Sequence, residues 1–331
     1  MSSPNLLITG VTGFIGFKVL LDSLTAGYTV RAAVRSISQS QWIPSHPRIT
    51  ALGVPDKLSF VEVPDIIREG AYDQAVKDIT YIIHLASPLP SPGLDPQTGV
   101  YEPNVKSATS ILHSAIKEPS IKKVVITFSV FSNILFPPDG KEITEKSRLP
   151  DVPGPFDSTI TAYSAGKIGA LNAAEKFIKD NNPKFAVVKV MPGLALGYDE
   201  RATALEGISA GTNRMLLGII TGKTSPAPFP AGVGDVADVA KVHLLALGDG
   251  VVGSFGVTKR NTFDEAWEIV KRHFPKAIAD GIFTQGSQPT IPVDWNAHQT
   301  EVRFGFDFKT YEDAVVEVAN QYLQLSGKKG A

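Results

Sequence analysis

The 331-residue chain contains no cysteine and only three methionines and three tryptophans. The absence of cysteine excludes a disulfide framework, a thiolate metal site and a cysteine nucleophile. A formal net charge of −1 gives no reason to expect a nucleic acid or an anionic membrane as a partner. No apolar run approaches the roughly 18 residues that a membrane-spanning helix needs. Residues 1–4 lead straight into an apolar segment and leave no room for a signal peptide, so we expect a cytoplasmic protein.

What the chain does contain is a glycine-punctuated segment at residues 5–16, NLLITGVTGFIG, which is typical of a buried strand followed by the start of a helix. Its glycines have the spacing GxxGxxG. Gly10 allows a tight turn, Gly13 lets the backbone approach a ligand closely, and Gly16 lets the helix pack against the sheet. Because free N–H groups and the helix dipole at such a start attract a pyrophosphate, the segment predicts a dinucleotide site.

The first half of the chain alternates strand-like and helix-like segments. Strands are predicted at 6–9, 28–34, 58–63, 81–85, 123–128 and 185–190, and helices at 14–25, 71–77, 100–117 and 161–179. This alternation predicts an α/β fold, a Rossmann-type doubly wound parallel sheet with a smaller C-terminal substrate-binding lobe. We assign residues 1–193, with 234–260 returning to them, to the dinucleotide-binding domain. Residues 194–233 and 261–331 are assigned to the substrate-binding lobe.

The end of the second strand indicates which dinucleotide is bound. An acidic residue there would hold a ribose 2′-hydroxyl, but residues 31–36 read RAAVRS and contain no acid. Arg35 can offer a guanidinium to a 2′-phosphate, and Ser36 a hydroxyl. The pattern therefore favours NADP over NAD, with a solvated strand end as the alternative role for Arg35.

Two further segments follow strands that point to the same edge of the sheet. Asp65 stands where a carboxylate could accept a hydrogen bond from an adenine amino group, although a turn after Pro64 would also use an Asp. Ala86, Ser87 and Pro88 are small residues that suit a backbone passing close to the cofactor. His84, just before them, is expected to be structural.

Tyr163 and Lys167 are four residues apart on a predicted helix, so their side chains emerge on one face. A nearby ammonium stabilises a phenolate and would bring the pKa of Tyr163 toward the working range. Ser129, at the carboxyl end of the fifth strand, can hold a substrate carbonyl oxygen beside the phenol, with Ser132 as a rival. Asn133 is either a substrate contact or a loop cap.

These residues together resemble the extended short-chain dehydrogenase/reductase family. Residues 28–35, 84–88 and 304–314 are similar to dihydroflavonol reductases and fungal NADPH-dependent ketoreductases. The resemblance implies NADPH delivering hydride to a ketone or aldehyde, with Ser129 and Tyr163 polarising the oxygen and Tyr163 giving the proton. It also implies that Lys167 supports both the phenol and the nicotinamide ribose, and that residues 192–194 lie along the nicotinamide. The predicted cofactor-binding residues are Gly10, Thr12, Gly13, Phe14, Ile15, Gly16, Arg35, Ser36, Asp65, Ile66, Ala86, Ser87, Pro88, Tyr163, Lys167, Pro192, Gly193 and Leu194.

The sequence therefore predicts an NADP(H)-dependent reductase of a small, fairly apolar carbonyl substrate, with no metal and as a monomer or homodimer. The predicted substrate-binding residues are Ser129, Phe131, Asn133, Tyr163 and Leu194. A nucleotide-sugar epimerase or dehydratase shares the same motifs and stays open, but residues 195–233 hold only three basic side chains to bind a sugar nucleotide. A non-catalytic NADP-binding sensor is a third possibility, although it would need none of the three catalytic residues.

Overall fold

A computed structural model describes residues 5–91 and 93–327. The strands, numbered along the chain, are β1 (Asn5–Thr9), β2 (Thr29–Val34), β3 (Leu58–Glu62), β4 (Tyr81–His84), β5 (Lys123–Thr127), β6 (Ala186–Pro192), β7 (Leu194–Leu196), β8 (Phe229–Pro230), β9 (Val233–Asp235), β10 (Gly253–Val257) and β11 (Thr290–Ile291). The helices are α1 (Phe14–Thr25), α2 (Trp42–Ser45), α3 (Pro47–Thr50), α4 (Glu102–Ala115), α5 (Thr159–Asn181), α6 (Leu205–Ile208), α7 (Asn213–Ile220), α8 (Val236–Leu245), α9 (Glu265–His273), α10 (Pro275–Ala279), α11 (His298–Phe304) and α12 (Tyr311–Leu325). These elements belong to two compact units.

The first unit comprises the chain up to Leu135, together with Glu145–Met191 and Ala240–Phe255. Within the described residues, seven strands form one sheet in the order β10-β6-β5-β4-β1-β2-β3. The pairings from β3 across to β6 are all parallel. This is the predicted Rossmann-type doubly wound arrangement, and strand order reverses between β1 and β4. The crevice at their carboxyl ends is where such sheets bind ligands.

The sheet's apolar strands lie between helices on both faces. Leu6, Leu7 and Ile8 of β1 are all fully buried, although successive residues point to opposite faces of a strand. Both faces of β1 are therefore covered, which explains its continuous apolar run in place of an alternating one. The helix α1, which follows, turns Phe17, Leu20 and its neighbours into the same core.

The segment 71–77, predicted to be a helix, forms a series of turns. Gly70 and Asp78 both have positive φ angles, 67° and 60°, and so bracket the segment with backbone conformations that a helix cannot include. Backbone hydrogen bonds between them mix three-residue and four-residue spacings, as in Asp73 N–H to Gly70 and Val76 N–H to Tyr72. The apolar spacing that suggested a helix instead buries Tyr72, Ala75 and Val76 from successive turns.

The second unit comprises Phe136–Thr144, Pro192–Val239 and the chain from Gly256 onward. Its core is a cluster of buried apolar side chains from α6, α7, α9, α10 and α12, with Phe263 and Phe283 among the largest. Two small parallel pairs, β7 with β9 and β8 with β11, border it. The short stretch Phe136–Thr144 joins this unit because Ile143 pairs with the backbone beside Trp295: its N–H donates to Asp294 at 2.8 Å and its carbonyl accepts from Asn296 at 2.7 Å.

None of the helices in the described ranges combines the length and the apolar character needed to cross a lipid bilayer.

Candidate active site

The glycine segment forms the turn between β1 and α1. Gly10 has a φ angle of +78°, and a Cβ on it would lie 2.9 Å from the backbone nitrogen of Ala86. Gly13 is the N-cap of α1 and donates its N–H to the Gly10 carbonyl at 3.0 Å. Gly13 has no side chain that could cap the start of the helix, where Thr12, Phe14 and Ile15 stand. These features fit a pyrophosphate bound to the helix N-terminus.

A hydrogen-bonded latch fixes the two strand ends at the point where strand order reverses. The Thr9 hydroxyl accepts hydrogen bonds from the N–H groups of Leu85 (3.1 Å) and Ala86 (3.0 Å) and lies 2.9 Å from Nδ1 of His84. Nε2 of His84 faces the Ser107 carbonyl at 3.2 Å, so Nε2 carries the proton and Nδ1 accepts from Thr9. Burial lowers the pKa of His84 to about 4, which keeps the ring neutral. His84 is structural, as expected from the sequence.

Arg35 and Ser36 follow the last residue of β2. Arg35 is exposed, and within residues 5–91 and 93–327 its side chain forms no hydrogen bond or ion pair. The Ser36 hydroxyl lies 2.8 Å from that of Ser38, and Ser40 donates to the Ser36 carbonyl at 2.9 Å. Glu62, which the sequence interpretation passed over, ends the adjacent strand β3 and accepts a hydrogen bond from the Ile37 N–H at 3.0 Å.

Asp65 lies in the exposed turn after β3, where its carboxylate accepts from the Ile67 N–H at 3.0 Å, and Ile66 beside it is half-buried. This hydrogen bond is the turn-forming contact that the sequence left open for Asp65. One carboxylate oxygen can still accept from an adenine amino group, so the role of Asp65 and Ile66 in cofactor binding stays a prediction.

Ser129 and Tyr163 meet in the first unit. Ser129 follows β5, is 8% exposed, and its hydroxyl accepts from the Phe131 N–H at 3.2 Å. The same side chain lies close enough to the phenol of Tyr163 to act against the rise in its pKa. Lys167, one turn further along α5, is 4% exposed, with Nζ 5.3 Å from the centre of the Tyr163 ring. The three residues predicted to be catalytic are thus together at the carboxyl end of β5.

Burial controls the protonation of both groups on α5. It raises the pKa of Tyr163 to about 12, while the Ser129 side chain works in the opposite direction. It also lowers the pKa of Lys167 to about 8. The sequence predicted a lowered pKa for the phenol through the nearby ammonium, but burial raises this pKa instead, so Tyr163 is a protonated phenol at neutral pH.

Lys167 is held by a residue that the sequence assigned to the cofactor. Its Nζ donates to the Ser87 hydroxyl at 2.7 Å, and Ser87 in turn donates to the side-chain oxygen of Asn104 at 3.0 Å. The amide nitrogen of Asn104 donates to the carbonyls of Val100 (2.9 Å) and Pro88 (3.2 Å). This network orients the Ser87 hydroxyl so that a lone pair faces the lysine.

Close packing of α4 on α5 makes that network possible. A Cβ on Gly166 would lie 3.0 Å from Cβ of Asn104 and 3.3 Å from Cα of Tyr101. Asn104 itself is 1% exposed. The sequence analysis did not identify Asn104. The feature that could have indicated it is a polar asparagine on the buried face of α4. Gly166, the residue before Lys167, must therefore be small so that α4 can pack closely against α5.

The turn after β5 carries the other predicted substrate contacts. The Phe131 ring meets the Tyr163 ring edge-on, with centroids 5.9 Å apart. Asn133 is 2% exposed, and its amide nitrogen donates to the Ser147 carbonyl. Ser132, the rival of Ser129, is 1% exposed and has no hydrogen-bond partner for its hydroxyl among the described residues. Ser129, not Ser132, contacts the phenol.

Pro192, Gly193 and Leu194 belong to the second unit. Pro192 ends β6, and the Leu194 N–H donates to the Gly232 carbonyl at 2.8 Å. A Cβ on Gly193 would lie 2.6 Å from both the Gly232 carbonyl oxygen and the Thr258 hydroxyl, so glycine is required there for packing. The assignment of these residues to the nicotinamide stays a prediction. Among the described residues, no group of three or more His, Cys, Asp or Glu side chains could hold a metal ion.

The reversal of strand order, the glycine turn at the start of α1 and the Ser129–Tyr163–Lys167 group define a Rossmann-type nicotinamide-dinucleotide-binding protein. The chain matches the model of the NAD dependent epimerase/dehydratase family over residues 6–254. It therefore belongs to that family, the extended short-chain dehydrogenases/reductases predicted from the sequence, and binds a nicotinamide dinucleotide.

Individual relatives locate the chain within the family. It is 35% identical to a ketoreductase, CTB6, of Cercospora beticola, covering 99% of this chain and 97% of that protein. It is 33% identical to an NAD-dependent epimerase/dehydratase, ALT6, of Alternaria alternata, covering 97% and 98% of the two chains. The solved structure of Gre2 in complex with NADPH from Candida albicans superposes with a TM-score of 0.81 at 24% identity, over 97% of this chain and 99% of that chain. The last likeness confirms the fold.

Proposed function

We propose that the protein is an NADPH-dependent reductase that converts a ketone or aldehyde to an alcohol. The observation that carries this proposal is the grouping of Ser129, Tyr163 and a buried Lys167, whose Nζ lies 5.3 Å from the centre of the Tyr163 ring. When bound, the nicotinamide cofactor would supply the hydride for the carbonyl carbon. The ketoreductase CTB6, 35% identical over nearly the whole chain, supports the same reaction class.

Tyr163 is the proposed proton donor. With its pKa raised to about 12 by burial, the phenol keeps its proton at neutral pH and can donate a hydrogen bond to a carbonyl oxygen. As negative charge develops on that oxygen, its basicity exceeds that of a phenolate and the proton moves across. Ser129 donates a second hydrogen bond to the same oxygen, in the manner of an oxyanion donor.

Lys167 would stabilise the phenolate left after this proton transfer. Its pKa of about 8 leaves the ammonium form predominant at neutral pH, close enough to the Tyr163 ring for a favourable charge interaction. Among the described residues, Lys167 forms no salt bridge with a carboxylate. Its hydrogen bond to Ser87 therefore holds the ammonium beside the Tyr163 ring. Lys167 is also the proposed contact for the nicotinamide ribose.

NADPH is proposed over NADH because Arg35 lies at the end of β2 with its guanidinium exposed to solvent. The solved Gre2 structure with NADPH concerns a protein of the same fold. The proposed 2′-phosphate contacts are Arg35 and Ser36, and the proposed pyrophosphate contacts are the backbone around Gly13.

The substrate is proposed to be a small, fairly apolar carbonyl compound. Phe131 supplies an aromatic edge next to the phenol, and Asn133 and Leu194 are the other proposed contacts. The second unit, whose bounds lie near the predicted 194–233 and 261–331, is the proposed substrate-binding part.

The test is the consumption of NADPH and of NADH, followed by absorbance, with a panel of aromatic ketones, β-keto esters and aldehydes. We expect turnover with NADPH, abolished in Tyr163→Phe while nucleotide binding is kept. Tyr28→Phe is the matched control: Tyr28 faces Tyr81 at the amino end of the sheet, away from the site. A fully active Tyr163→Phe variant would refute the proton-donor role. Binding of NADPH without turnover on any carbonyl would refute the reductase.

A further inference from the structure

The turn after β2 holds a negative charge as well as a positive one. Glu62 is the last residue of β3 and pairs with Val34, the last residue of β2. Its carboxylate accepts from the Ile37 N–H at 3.0 Å, and so lies against the turn formed by residues 35–37. Both Arg35 and Glu62 are exposed, and no ion pair joins them within residues 5–91 and 93–327.

In Rossmann-type folds, residues at the end of β2 bind the adenosine ribose and discriminate between NAD and NADP. An acid at this place holds the 2′-hydroxyl of NAD, and an arginine accepts the 2′-phosphate of NADP. In this chain the acid is missing from β2 but is supplied by the neighbouring strand. Glu62 also occupies the Ile37 N–H, a donor that an anion bound at this turn would otherwise use.

We propose that Glu62 is a specificity-determining residue that opposes Arg35 in the choice between NADPH and NADH. This inference depends on the proposed function, since it concerns the same dinucleotide site. Arg35 attracts the 2′-phosphate, Glu62 repels it, and the carboxylate remains available to accept a hydrogen bond from a 2′-hydroxyl. The protein therefore discriminates less strongly between the two cofactors than its arginine alone would dictate.

Glu62→Gln isolates the charge. A glutamine oxygen can still accept from the Ile37 N–H, so the turn is kept while the negative charge is removed. For charges several ångströms apart near a protein surface, we expect the Kd for NADPH to fall about fivefold at low ionic strength and about twofold near physiological salt. The Kd for NADH should stay unchanged or rise.

The experiment is a titration of the purified full chain with each reduced dinucleotide, followed by nicotinamide fluorescence, at two salt concentrations. Arg35→Gln and the double variant complete a double-mutant cycle. In this cycle we expect Arg35→Gln to weaken the binding of NADPH and to leave the binding of NADH unchanged. A salt-sensitive increase in the affinity of Glu62→Gln for NADPH, without an increase for NADH, supports the inference. Equal changes in the Kd values for the two dinucleotides, or no change in either, would overturn the inference but would not contradict the proposed reductase function. Failure of the unchanged protein to bind either dinucleotide would overturn both.

Discussion

Replacing Gly16 by alanine tests the close contact between α1 and the glycine turn. A Cβ at this position would lie 2.0 Å from the Gly10 carbonyl oxygen, 2.7 Å from its carbon and 3.2 Å from Cα of Val11. All three are backbone atoms, so relief requires the helix to move off the strand. That movement would loosen the packing of Phe17 and Leu20, both fully buried. We expect the free energy of unfolding to fall by about 3 kcal/mol, the upper end for overpacked sites.

Gly13→Ala is the matched control in the same segment. Its Cβ would meet only the Gly10 carbonyl oxygen, at 3.2 Å, and its φ angle of −80° suits any residue. We expect its stability to change by no more than about 1 kcal/mol, as for other N-cap substitutions. Dinucleotide binding should nevertheless weaken, because the methyl group would enter the space beside the helix start.

Urea unfolding followed by tryptophan fluorescence gives the first quantity, and titration with NADPH gives the second. The reasoning predicts that stability and binding separate: Gly16→Ala loses stability, and Gly13→Ala loses binding. Equal losses of stability in the two variants, or an unchanged midpoint for Gly16→Ala, would refute it.

Two further predictions concern the supports of the site, and a third concerns Asp235, a buried carboxyl group of the second unit. Ser87→Ala should reduce kcat about tenfold and shift its pH profile, since a buried hydrogen bond to a charged group is lost; an unchanged profile would make Ser87 merely structural. Thr9→Val, measured by urea unfolding, should cost about 2 kcal/mol because two N–H groups and His84 lose a partner; no loss would contradict the latch. Burial, with Glu317 nearby, raises the pKa of Asp235 to about 6, so its contribution to stability falls as pH rises from about 4 to about 6. Over that window, urea unfolding of Asp235→Asn should shift in favour of the variant, whereas a difference constant with pH would contradict the shifted pKa.

Local patterns were enough to predict the sheet and the placement of Tyr163 and Lys167 next to each other on one helix. The apolar run before Gly10 and the four-residue spacing of Tyr163 and Lys167 are properties of short segments, so the sequence displays them directly. The parallel order of the strands follows from alternation with helices.

Contacts between distant segments were harder to predict. Ser87 and Asn104 are 80 and 63 positions from Lys167, and no local period connects a loop serine or a helical asparagine to it. Glu62 lies one strand away from Arg35, and only the register of β2 and β3 brings them to the same turn. The pKa of Tyr163 depends on how deeply the folded protein buries it, which spacing alone does not express.

The latch at the reversal of strand order also makes His84 a built-in spectroscopic reporter. Its ring is neutral, its tautomer is fixed by the Ser107 carbonyl, and it is 2% exposed. The Nε2 proton is therefore sheltered from exchange with water, and the chain has only five other histidines to crowd the spectrum. The nuclear magnetic resonance signal of this one proton would register any rearrangement of the β1–β4 junction during ligand binding, without a label and without turnover.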